Sequence, residues 1–187
     1  MKNLLQQKSD VIYIDAKNVQ AVTKIAKIIK KFILLEDKSD IIILCIGSDR
    51  VTGDSLGPIT GYSLKQKLPT RSMVKIFGCL DSPVNAKNLE DTINMIYNTY
   101  KNPYIIAVDA CLGRANYIGY ITVGRGSLSP GAGVNKKLPK VGDMFISGIV
   151  NVNLSPDFNL IQTTRLGVVI KMAEIISSGL YLATTNV

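Results

Sequence analysis

Residues 40–58 read D-IIILCI-GSDRVTGDSLGP, an apolar run followed by a Gly-containing loop and the start of a helix. Ile41–Ile46 is uninterrupted, rich in β-branched residues and too short for a helix, as expected of a strand covered on both faces. The loop predicted over 47–58 carries Asp54. A helix should begin near Asp54 or Ser55, with Pro58 in its first turn where a missing N–H does no harm, and end near Leu68-Pro69.

Working outward, residues 17–36 place Val19, Val22, Ile25, Ala26, Ile29, Phe32 and Ile33 at helical three-and-four spacing. Lys24, Lys27, Lys30 and Lys31 fall on the opposite, solvated face. Downstream, Val74–Phe77 reads as a strand, 78–83 as a loop, and 85–100 as a helix carrying Leu89, Ile93, Ile96 and Tyr97 before the stop at Asn102-Pro103. A third strand, 104–108, ends directly on Asp109. Alternating helices and strands of this kind imply right-handed crossovers and a mostly parallel sheet with helices on both faces. The expected fold is a single three-layer α/β/α domain spanning 1–187.

Beyond Asp109 the pattern changes to an alternating run at 117–123, a Gly/Pro-rich stretch at 124–143 and an apolar run at 144–150. These predict added strands around a long loop, and such a loop in a compact domain is more often functional than idle. The last helix is expected over 160–179, with Leu166, Val169, Ile170, Ala173 and Ile176 on one stripe. With the strand ending at Ile46 between the other two, a 2-1-3 order, ligands would bind at the C-terminal strand ends, where Asp54, Asp109 and Asp81 gather.

Composition narrows the chemistry. The chain has no histidine, so acid and base work falls to carboxylates, lysine, tyrosine or water, and His-dependent triads and dyads are excluded. Cys45, Cys79 and Cys111 lack CxxC spacing and read as buried thiols of a reducing compartment; they supply neither a disulfide framework nor a zinc site. Cys111 stands two residues beyond Asp109, where a neighbouring anion disfavours its thiolate. No run reaches the roughly 18 consecutive apolar residues of a membrane span, and 1–10 lacks the apolar core of a secretory signal, so a soluble cytoplasmic protein is expected. The formal net charge of +8 is spread over dispersed lysines, and neither membrane nor nucleic acid is expected as a partner. Self-association is left open.

Two phosphate motifs fail on spacing. Five residues separate Gly47 from Gly53 where a P-loop has about four, and Asp54 stands where the lysine belongs. Gly131-Ala-Gly133 does not open a helix after a strand in the dinucleotide manner. Asp54 alone has an ordinary role available as a helix cap, and Asp109 alone could be satisfied by a neighbouring loop. Together, two close carboxylates can split their pKa values, one holding a proton while the other activates water. The same pair could instead hold a hard divalent cation that activates water. Lys136 and Lys137 could stabilise an oxyanion or face solvent.

Thr52–Pro58 (TGDSLGP), Val108–Ala110 (VDA) and Pro130–Lys136 (PGAGVNK) occur in that order, and together they carry a family resemblance. Over about residues 40–180 the chain resembles the YyaC-type family of proposed spore proteases. It is similar, more distantly, to the germination protease of spore-forming bacteria and to hydrogenase maturation proteases. The resemblance implies a phosphorylase/hydrolase-like fold and an atypical aspartic peptidase of sporulation or germination. Asp54 and Asp109 would be catalytic, with Asp81, Gly131, Gly133, Asn135 and Lys136 in supporting or substrate-binding positions and no cofactor or metal. A protein substrate follows, with small acid-soluble spore proteins the first to test, in the cytoplasm of the sporulating cell or spore. The maturation relatives use an additional histidine in binding nickel, and this chain has none. A non-catalytic binding protein on the same fold is the alternative of another class, and a metal-dependent hydrolase the third.

Overall fold

The computed structural model describes residues 11–36, 38, 40–69, 72–131, 138–153 and 160–185. Its strands are β1 (Ile12–Asp15), β2 (Asp40–Cys45), β3 (Lys75–Phe77), β4 (Pro103–Gly113), β5 (Tyr120–Arg125) and β6 (Met144–Val152). The helices are α1 (Ala21–Ile33), α2 (Leu56–Lys67), α3 (Leu89–Thr99) and α4 (Leu166–Thr184). One six-stranded sheet runs β1-β5-β6-β4-β2-β3. β2 pairs in parallel with β3 and β4, and β4 with β6, while β5 is antiparallel to both β6 and β1. The strand ending at Cys45 therefore lies between the two that follow it, which is the 2-1-3 order expected from the sequence.

Alternation along the central strands decides which layer each side chain enters. Ile43, Cys45, Tyr104, Ile106 and Val108 join Ile25, Ile29, Leu64, Met172 and Ile176 in the core beneath α1, α2 and α4. Ile42, Leu44, Ile105 and Ala107 instead meet Leu89 and Ile96 of α3. With both faces covered, β2 and β4 need no polar alternation, and their continuous apolar runs follow from that.

α4 is, by length and composition, long and apolar enough to cross a membrane. In this fold its stripe Val169, Met172, Ala173, Ile176 and Leu180 lies in the core, packed with α1 and α2. The unbroken-run criterion overlooked it because Lys171 and Glu174 interrupt the helix.

Several boundaries differ from expectation, among them α4, at Leu166–Thr184 where 160–179 was expected, and α3, at Leu89–Thr99 where 85–100 was expected. β1 was unforeseen, because its four residues form an edge strand with Ile12 and Tyr13 exposed and only Ile14 buried. β4 continues past Asp109 to Gly113, since β6 pairs with it along that extension. β5 begins at Tyr120, after a 3-10 turn at Ala115–Tyr117 and the positive-φ Gly119 have consumed the start of the alternating run. α1 is shorter than the predicted 17–36, starting only at Ala21 after the turn that leaves β1.

Candidate active site

β2 and β4 part company at the position where Asp109 appears. The last rung joins Cys45 to Val108, and the Ile46 N–H still donates to the Val108 carbonyl at 2.7 Å. Ile46 then bridges Val84 on the other side, and the Gly47 N–H donates to the Val84 carbonyl at 2.8 Å. Asp109 consequently stands at the opened end of the β2–β4 seam, with Ser147 of β6 opposite it on its remaining paired side. Ligands of open α/β sheets occupy such a crevice.

Asp109 is only 6% exposed. Its Oδ1 accepts the Ala110 N–H at 2.8 Å, and the Gly131 N–H also reaches the carboxyl. Burial nevertheless dominates and, reinforced by the nearby Asp54 carboxyl, raises the Asp109 pKa well above the ordinary carboxylate range against those two N–H groups. A buried carboxyl with an anionic neighbour is most cheaply kept protonated.

Asp54 arrives from the opposite side. The loop leaving β2 folds back on itself, with the Ser48 N–H donating to the Asp54 carbonyl at 3.1 Å, and Gly53–Ser55 forms a 3-10 turn leading into α2. Asp54 sits inside that turn. No side-chain capping bond is made at Thr52, which precedes the turn, or at Ser55, which precedes α2. The half-buried Asp54 side chain borders the crevice, so the capping role open to it in the sequence is not the one it takes. Burial raises its pKa as well, against the opposing pull of the Ser48 N–H.

Both aspartates line one cavity of about 950 Å³, together with Ile46, Leu80, Pro83 and Leu138. That is room for a short peptide segment or a small molecule. Asp81 and Gly131 line it too, Asp81 as an exposed residue. Gly133, Asn135 and Lys136 lie outside the described residues. Among those described, no three His, Cys, Asp or Glu side chains gather as a metal-ligand group.

Sequence reasoning missed several residues of the cavity. Asp49, Arg50, Asn85, Lys87, Ile161 and Gln162 all border it. No motif in the sequence marks Arg50 or Lys87 among the dispersed cations, and nothing in the sequence links residues 161–162 to Asp54. One signal was available: the loop from Gly47 carries Asp54, and Asp49 and Arg50 lie within the same loop.

The structure is similar to that of the [NiFe] hydrogenase maturation protease HycI from Thermococcus kodakarensis KOD1, with a TM-score of 0.48 and 18% identity, covering 80% of this chain and 98% of that one. In sequence the chain is 45% identical over 170 residues to YyaC of Bacillus subtilis (strain 168), an uncharacterized protein, spanning 91% of this chain and 82% of the relative. The YyaC-type kinship expected from the three motifs is thereby shown. Residues 13–179 match the family described as a protein of unknown function (DUF1256), and the chain belongs to that family.

Proposed function

We propose that the chain is a peptidase of spore-forming bacteria, acting in sporulation or germination, in which Asp54 and Asp109 activate water for peptide-bond hydrolysis. The observation that carries this reading is the asymmetric pair: a buried Asp109 whose pKa is driven far upward, and a less buried Asp54 facing the same cavity. Such a pair supplies an acid and a base at one pH without histidine. The spore context rests on the resemblance carried by TGDSLGP, VDA and PGAGVNK.

In this mechanism Asp54 is the ionised member and Asp109 holds the proton. A water between them loses a proton to Asp54 as its oxygen bonds to the peptide carbonyl carbon, while Asp109 donates to the carbonyl oxygen. The resulting gem-diol collapses when the proton on Asp54 passes to the amide nitrogen, the C–N bond breaks, and Asp109 recovers a hydroxyl proton. Both carboxyls end as they began. The apolar walls formed by Ile46, Leu80 and Leu138 lower the local dielectric in which these transfers take place.

The test is incubation of the purified chain with small acid-soluble spore proteins, with fragments read by mass spectrometry. Wild-type protein should cleave them, and Asp54→Asn and Asp109→Asn should each lose activity by about 100-fold or more. Equal cleavage by all three proteins, or none by the wild type, would falsify the reading.

A further inference from the structure

The two aspartates reach the cavity from different parts of the chain, so something must fix their separation. Asp109 is held by β4 itself, which β6 flanks through the Asp109–Ser147 rung. Asp54 is carried by a short 3-10 turn that has no side-chain cap of its own. The same strand β6 reaches that turn from the other direction.

Near its C-terminal end β6 presents Asn151, opposite Leu112 and just beyond the register shift between Cys111 and Leu112. The Asn151 Nδ2 donates to the Leu160 carbonyl at 2.7 Å, while its Oδ1 accepts the Val152 N–H at 2.8 Å. Leu160 opens a turn whose carbonyl also accepts the Thr163 N–H at 3.3 Å and the hydroxyls of Thr163 and Thr164. The next carbonyl, that of Ile161, accepts the Gly53 N–H at 2.9 Å. Gly53 immediately precedes Asp54. The contact is tight, since a Cβ on Gly53 would lie 2.4 Å from the Ile161 carbonyl oxygen and 2.7 Å from the Thr164 hydroxyl.

We infer that Asn151 is a positioning residue for the aspartate pair: through the Leu160 and Ile161 carbonyls it fixes Gly53, and hence Asp54, relative to the strand that flanks Asp109. β6 then acts as a common ruler for both carboxyls. Neither Asn151 nor Gly53 touches substrate in this arrangement, and Ile161 and Gln162 bring the turn itself to the cavity wall. The inference rests on the proposed aspartate pair, but its measurement needs no substrate.

The experiment is a carboxyl-carbon NMR titration of Asp54 and Asp109 in the full chain, comparing wild type, Asp54→Asn, Asn151→Ala and Gly53→Ala. Asp49, Arg50, Asp81 and Lys87 share the cavity and Cys111 lies beside Asp109; all are retained in every variant. Asp54→Asn should lower the Asp109 midpoint by removing the neighbouring anion. Asn151→Ala should reproduce a substantial part of that fall, about half a pH unit or more, because a displaced Asp54 couples less strongly. Gly53→Ala strains the same contact from its other side and should act alike; Asn151→Gln, which keeps a donor, should recover part of the wild-type midpoint.

If Asp54→Asn moves Asp109 while folded Asn151→Ala and Gly53→Ala do not, the positioning role is overturned and the pair stands. Should Asn151→Ala fail to fold, Gly53→Ala decides by the same criterion. If Asp54→Asn itself leaves Asp109 unmoved, the pair is not coupled, and both the positioning role and the function built on the pair fall together.

Discussion

Gly47 and Asp54 meet backbone to backbone: a Cβ placed on Gly47 would lie 2.0 Å from the Asp54 carbonyl oxygen. Gly47 also has a φ of +142°, which disfavours any side chain, so the loop that leaves β2 can fold back on itself only with glycine there. Gly47→Ala should therefore cost about 2–4 kcal/mol of stability, through strain and a displaced 47–54 loop. Denaturant unfolding measures it. A loss no larger than that of an ordinary surface substitution would show that the loop has room this geometry denies it.

Asp109→Asn should stabilise the protein, and by an amount that depends on pH. The folded-state pKa of Asp109 is raised, so the folded chain binds this proton more tightly than the unfolded one. Its contribution to stability is fully present below the unfolded pKa and is lost as pH rises toward the folded value. Asparagine escapes that loss. The variant should thus gain on the order of 1–3 kcal/mol over wild type between about pH 4 and neutrality. Parallel stability curves for the two proteins over that window would mean that Asp109 is ionised in the folded state without cost.

The sequence made the central strands legible because burial on both faces leaves an unmistakable signature in Ile41–Ile46 and Tyr104–Val108, while their 2-1-3 order came from the general habit of open α/β sheets and not from these residues. Asp109 was legible for the same reason, as a charge ending such a run. β1 was not, since a half-exposed edge strand of four residues has neither length nor periodicity to announce it. Asp54 was ambiguous in sequence because a helix cap and a crevice carboxylate ask for the same residue at the same place; only the path of the 47–54 loop separates them. The contributions of Asn151, Ile161 and Gln162 were out of reach altogether, because they depend on a turn returning from beyond β6 to meet Gly53.

The three thiols should be slow to react in the folded protein. Burial, with the Asp109 carboxyl beside it, pushes the Cys111 thiol up to about 12. Burial likewise raises Cys45, helped by Cys79, and raises Cys79 against the pull of Lys65. Since the thiolate is the nucleophile, labelling by an aromatic disulfide near pH 8 should run about 100-fold slower than in denaturant. Asp109→Asn should leave Cys111 slow, since burial is the larger cause of its shift. Rapid stoichiometric labelling of the native wild-type chain would contradict the burial and electrostatics described for these sites.

Asp143 ties the start of β6 to β4 by two bonds: its Oδ2 accepts the Ile105 N–H at 2.8 Å, and its own N–H donates to the Ile105 carbonyl at 2.8 Å. The first bond depends on the side chain and the second does not. Asp143→Ala would leave the N–H of fully buried Ile105 without that acceptor, at a cost of about 1–3 kcal/mol. Asp143→Asn keeps an acceptor oxygen in place and should lose much less. Thermal unfolding of the two variants gives the ranking, and amide exchange at Ile105 locates its cause: protection should fall in Asp143→Ala and largely persist in Asp143→Asn. Equal losses in both variants would assign the effect to the carboxylate charge instead of the hydrogen bond.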